Sequence, residues 1–337
     1  MAGGFEGIGK IILIPPVDEM LEFIDGAVDI SGYNYMLARY EKDAELYPNR
    51  IILGTETHAK RIPDHFAAMQ KHKNIIGDFI WCSYTYLGET GEKGNYPSLM
   101  NESADFTVIG DVKPSWYYRA VTTGLRAEPY IAVRLPEKSR TPMNTGAWIL
   151  TDAVESWDYP GHEGEACDVE VYSSGEHTGL FLNGRNLGEG VPDPEQICRY
   201  TWRVPYEAGE LKAVSHCEGK PDREFVLHTK GTASMIDLRA EENPFAEEDG
   251  LKYIKITLRN PAGEAVRCTA NLNVSIAGGA YRLLAFGGQY SQHNGGFISP
   301  SVDIHDGRAL LILKRCGEGK CVLKVSGEGL AASELMM

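Results

Sequence analysis

The texture of this chain changes near Thr123, and that change sets what it can fold into. Before it, short apolar runs alternate with segments of helical spacing. Residues 10–14 are apolar and are stopped by Pro15-Pro16, and residues 18–24 place Met20, Leu21 and Ile24 at helical intervals. Residues 28–35, 50–54 and 74–81 read as strands, and residues 37–46, 63–73 and 115–123 as helices. Strands alternating with helices are the grammar of a parallel α/β unit, because parallel neighbours need a crossover long enough to hold a helix. From Pro129 onward the pattern becomes short alternating strands at intervals of roughly ten residues, broken by Gly, Asn and Pro, as in β-sandwiches. Residues 168–172, 178–182, 202–205 and 211–215 form one such block, with a hairpin signal at Asn183-Gly184. Residues 252–258, 271–277, 309–314 and 321–325 form a second, and the acidic stretch 241–250 reads as a solvated loop. The boundaries fall near Arg126 and Gly231.

Within the first part, Arg50-Ile51-Ile52-Leu53-Gly54-Thr55-Glu56-Thr57 is an apolar run that delivers one carboxylate at its C-terminal tip. A β/α barrel presents catalytic groups from such strand ends. Taken alone, the stretch reads first as a buried strand followed by a surface Glu. The flanking strand ends reverse that reading. One is Asp29-Ile30-Ser31-Gly32-Tyr33-Asn34-Tyr35; another is Ile76-Gly77-Asp78-Phe79-Ile80-Trp81, with Tyr86-Leu87-Gly88-Glu89 just after it. Together the three resemble the last three barrel strands of glycoside hydrolase family 2, the β-galactosidase and β-glucuronidase family. Leu180-Phe181-Leu182-Asn183-Gly184-Arg185-Asn186-Leu187-Gly188 resembles a β-sandwich that follows the barrel in many members. Leu283-Leu284-Ala285-Phe286-Gly287-Gly288 and residues 307–313 resemble the immunoglobulin-like domain beyond it. The resemblance implies a multidomain chain. Residues 1–125 would be a partial (β/α)8 TIM barrel, 126–231 a β-sandwich, and 232–337 an immunoglobulin-like β-sandwich.

The resemblance also implies roles. Glu56 falls on the catalytic nucleophile, Asn34 and Tyr35 on the strand-end pair beside it, and Trp81 on the Trp that packs against the sugar. The residue types suit retaining hydrolysis of a terminal β-glycoside. An ionised, hydrogen-bonded carboxylate traps the oxocarbenium-like centre, and an indole face suits the C–H face of a pyranose. The chain departs from the family where Cys82-Ser83-Tyr84-Thr85 replaces the usual Thr-Gly-x-Asp, which alters a polar subsite contact. His58 reads as a rim or core residue, not a ligand. Retaining chemistry needs a second carboxyl about 5–5.5 Å from the first. In the family it comes from an Asn-Glu pair on the fourth barrel strand. Asn101-Glu102 spells that pair but follows no strand-like run, so it reads as coincidence. A full barrel needs about 250 residues. The expectation is therefore a truncated or split chain, inactive alone, that pairs with a complementary N-terminal fragment or assembles as a homo-oligomer.

Composition narrows the classes. The net charge of −14 argues against nucleic-acid and anionic-membrane partners. No apolar run reaches the length of a membrane helix, about 18 residues, and residues 1–5 do not read as a signal peptide. The seven cysteines have no zinc or CxxC spacing and read as free thiols of a cytoplasmic protein, with Cys316 and Cys321 a weak candidate pair across a hairpin. No metal and no cofactor is expected; the partner is a carbohydrate substrate. Two other readings stay open: a non-catalytic carbohydrate-binding or scaffold protein, using aromatics such as Trp148, Trp157 and Tyr159, and a decayed remnant without function.

Overall fold

The computed structural model describes residues 12–89, 99–143, 146, 148–289 and 296–337. The protein is mostly β-sheet, with its helices concentrated in the first third. There, β1 (Ile30–Asn34), β2 (Ile51–Thr57) and β3 (Ile75–Ile80) form a parallel sheet in that order. The helices Leu37–Leu46 and Ile62–Lys71 make the crossovers. Tyr33, Tyr40, Ala44, Ile52, Ala68 and Ile75 form the core between sheet and helices. The opposite face is open. Ile30 is 46% exposed, Ile76 54% and Phe79 62%. Gly54 is required on the covered face, where a Cβ would stand 2.3 Å from the Tyr40 phenol oxygen and 2.9 Å from Asp78 Oδ1.

The apolar run at residues 10–14 is only partly among the described residues; its described part is a turn leading into the helix Pro15–Asp25. Pro15-Pro16 thus opens a helix as well as ending the run, since proline's missing N–H costs nothing in a first turn. A short ladder, β4 (Tyr86–Leu87) with β5 (Met100–Asn101), follows, and the helix Pro114–Thr122 closes this part.

The middle of the chain builds two antiparallel sheets. One runs β10 (Val191–Pro192), β11 (Arg199–Pro205), β7 (Ala166–Tyr172), β6 (Tyr130–Val133). The other runs β13 (Arg223–His228), β12 (Glu210–His216), β8 (His177–Leu182), β9 (Arg185–Glu189). They share one buried cluster, with Val169 and Val171 from the first, Leu180, Leu182 and Leu211 from the second, and Trp157 between. The Asn183-Gly184 signal is a two-residue hairpin: Leu182 pairs with Arg185, and both turn residues have positive φ, 50° and 78°.

The last third forms one nearly closed eight-stranded sheet in the order β17-β19-β15-β14-β21-β20-β16-β18. Its strands are β14 (Met235–Ala240), β15 (Leu251–Arg259), β16 (Ala270–Ala277), β17 (Tyr281–Gly288), β18 (Ser301–Ile304), β19 (Arg308–Arg315), β20 (Val322–Gly327) and β21 (Leu330–Met336). A single parallel pairing, Met235 with Ala331, joins its two antiparallel halves. The end strands β17 and β18 approach each other. Alternation along β15 and β19 turns Ile254, Ile256, Leu258, Leu311 and Leu313 into a core with Phe286, Leu323 and Val325. The acidic stretch expected to be loop contains a short helix, Pro244–Glu248; Asn243 caps it by accepting from the Ala246 amide at 3.2 Å. All seven cysteines are free, Cys316 exposed and Cys321 buried, so the suggested pair does not form. Among the described residues no helix is long and apolar enough to cross a membrane.

Candidate functional site

The site grows from a slip in register. Tyr33 stands opposite Gly54, but the next residue, Asn34, stands opposite Glu56, so Thr55 is bulged out of the ladder. The bulge brings the Asn34 side chain beside the Glu56 carboxylate. Thr55 Oγ1 donates to Asn34 Oδ1 at 2.7 Å, which turns the other end of the amide toward Glu56. Asn34 Nδ2 then donates to Glu56 Oε2 at 2.9 Å. Beyond Asn34 the chain turns sharply: Tyr35 has φ of 56°, a left-handed conformation that costs a side-chain-bearing residue about 1–2 kcal/mol. The Tyr35 amide donates to the Glu56 carbonyl at 2.7 Å, and that hydrogen bond holds the turn. The turn swings the phenol over the carboxylate, where it donates to Glu56 Oε1 at 2.5 Å. Both oxygens of Glu56 therefore accept a hydrogen bond from a neighbouring strand end.

Burial, with the Glu56 carboxylate second, raises the Tyr35 phenol well above its ordinary range. The phenol keeps its proton at any working pH and stays a donor. Its ring lies 4.3 Å from the His58 ring. Burial pushes His58 down to about 4, so it is neutral near pH 7 and brings no competing positive charge. It is half-buried against aromatic rings, consistent with a packing residue.

Trp81 follows β3 directly, and its amide donates to the Thr57 carbonyl at 2.9 Å, which fixes it on the rim that carries Glu56. The indole is half-buried and meets Tyr86 edge-on at 5.9 Å. Tyr86 donates in turn to Glu89, and burial with that carboxylate raises its phenol to about 12.

Asn101-Glu102 is engaged elsewhere. Asn101 Oδ1 accepts from the Ser103 amide at 2.7 Å, and Glu102 pairs with Lys113 at 3.3 Å. Of the aromatics considered for a sugar platform, Trp157 and Tyr159 are core residues, 1% and 6% exposed. Trp148 is different: its Nε1 donates to the Tyr35 phenol oxygen at 2.9 Å. In the sequence Trp148 reads only as platform or packing, and no local signal ties it to a residue 113 positions away. Among the described residues no group of three or more His, Cys, Asp or Glu could hold a metal ion.

Known proteins match this chain along most of its length. A family model described as "Domain of unknown function (DUF4982)" matches residues 164–221. A putative β-glucuronidase from Formosa agariphila is 31% identical over 150 residues, 43% of this chain and 12% of that protein. The β-galactosidase BoGH2A of Bacteroides ovatus is 22% identical over 266 residues, 77% of this chain and 28% of that protein. The crystal structure of a glycosyl hydrolase family 2 member from Bacteroides cellulosilyticus superposes with a TM-score of 0.82 at 28% identity, over 96% of this chain and 43% of its own. The chain thus spans less than a third of either curated relative and under half of the structural one. The relatives and structural neighbours that this chain resembles along most of its length are glycoside hydrolase family 2 members, and the domain matched at residues 164–221 is a C-terminal domain of that family.

Proposed function

We propose that this chain carries half of the active centre of a retaining β-glycosidase of the β-galactosidase and β-glucuronidase class, with Glu56 as nucleophile. The observation that carries the reading is the double hydrogen bond to Glu56, from Asn34 and from Tyr35. A carboxylate held by two donors presents one oxygen in a fixed attacking pose, as glycosyl-enzyme formation requires. Trp81, on the same rim, offers a ring face to the sugar. In this reading residues 1–125 are part of a (β/α)8 barrel. The two facing four-stranded sheets are a β-sandwich within 126–231, and the two joined halves of the last sheet an immunoglobulin-like sandwich within 232–337.

The second carboxyl, the acid/base, comes on this account from a partner segment that lays further strands against the open sheet. The apolar open face formed by Ile30, Ile76 and Phe79 supports it, and so does the span of the solved relative that this chain does not cover. Alone, the chain then hydrolyses aryl β-glycosides slowly or not at all. The test is to mix the purified chain with a polypeptide carrying the complementary barrel strands and assay an aryl β-galactoside and an aryl β-glucuronide. Recovered turnover that disappears in Glu56→Gln supports the assignment. Activity of the isolated chain that survives Glu56→Gln would sink it. A carbohydrate-binding role without catalysis is less well supported, because Trp157 and Tyr159 are buried.

A further inference from the structure

We infer that Trp148 is a positioning residue for Glu56, acting through the Tyr35 phenol from a segment that belongs to the β-sheet part of the chain. The inference rests on the reading of Glu56 as nucleophile. An indole N–H can only donate, and a phenol has one proton to give. Trp148 Nε1 lies 2.9 Å from the Tyr35 oxygen, and that oxygen lies 2.5 Å from Glu56 Oε1. Tyr35 therefore accepts from Trp148, and its single proton is left for Glu56. Without the indole, the phenol can turn its proton elsewhere and leave one carboxylate oxygen unheld.

The rings enforce the same arrangement. Trp148 meets the Tyr35 ring edge-on at 90° and 6.0 Å, and its own ring lies 5.2 Å from His58, which packs against Tyr35. Edge-to-face contact at this spacing is a favoured aromatic geometry. The segment bearing Trp148 is itself anchored to the α/β part. Leu150 and Ala153 are buried with Ala59, Ile62 and Tyr118, and Lys60 donates to the Gly146 carbonyl. The β-sheet part of the chain thus reaches back and fixes the pose of a carboxylate on β2. This gives the downstream region a catalytic purpose that needs no sugar contact of its own.

The test has two arms that fail separately. In the full chain labelled with 15N, the five tryptophans give five indole N–H resonances, and Trp148→Phe identifies its own by deletion. Tyr35→Phe should move that resonance upfield as its hydrogen bond is lost. Glu56→Gln should move it less, through the phenol, and the other four should stay in place. An indole resonance indifferent to Tyr35→Phe overturns the bridge, and this arm needs no enzyme activity. In the reconstituted enzyme, Trp148→Phe should lower kcat about tenfold with KM within about twofold, the signature of an interaction felt in the transition state. Trp148→His, which retains a ring N–H, should recover part of the loss. Turnover abolished by Glu56→Gln but untouched by Trp148→Phe overturns the positioning role and leaves the nucleophile assignment standing.

Discussion

The first and last thirds of this chain solve the same problem, hiding one face of a sheet, and reach different ends. The terminal sheet brings its end strands β17 and β18 together and fills its interior with aliphatic side chains and Phe286. The parallel sheet covers one face with helices and leaves the other open, and among the described residues β1 and β3 each pair only with β2. Even its covered side holds polar atoms: Tyr40 and the buried His65–Asp78 pair, 3.7 Å apart, sit beneath Gly54. The closed region is organised for stability and the open one for a site. Strand edges and an apolar face left uncovered are costly unless something pairs with them.

Core truncations should break the comparison most visibly. Phe286→Ala and Leu311→Ala, both fully buried, should each cost about 2–5 kcal/mol in denaturant unfolding. On the open face, Phe79→Thr should cost less than about 0.5 kcal/mol and reduce self-association in sedimentation. A loss as large as that of Leu311→Ala would mean that the open face is covered in the isolated chain. Gly54→Ala comes next. Its Cβ would meet the Tyr40 oxygen and Asp78, so a loss of about 1–3 kcal/mol is expected, confined to the transition of the α/β part.

The smallest effect is one of pH. Burial pushes His58 down to about 4 from its ordinary value of 6.5. The unfolded chain takes up a proton that the folded chain refuses. Stability therefore falls as pH drops from about 6.5 toward 4 and does not depend on this group above that window. His65 is shifted in the same direction by burial. His58→Phe should flatten only part of the slope between pH 7 and pH 5 in denaturant titrations. An unchanged slope would show that His58 is solvated.

Much of this molecule was legible in local sequence. The three parallel strands announce themselves by short apolar runs, and Asn183-Gly184 announces its turn, whereas Asn34, Tyr35, Glu56 and Trp81 are singled out by the family resemblance of the strand ends. What escaped depends on register or distance. Nothing in residues 50–57 says that Thr55 will bulge, yet the bulge is what sets Asn34 against Glu56. Trp148 joins the site across 113 residues. The acidic stretch 241–250 reads as loop, yet Asn243 caps the short helix Pro244–Glu248, which has proline in its first turn.

The central claim is that Glu56 attacks the anomeric carbon. The most direct measurement replaces it in the reconstituted enzyme with Ala, supplies azide, and determines the configuration of the glycosyl azide formed from an aryl β-glycoside. A retaining nucleophile leaves a space on the α face. Hydrolysis should fall by about 10⁴-fold or more, azide should restore part of the turnover, and the product should be α-configured. Hydrolysis persisting without azide, or a β-configured azide, would contradict it.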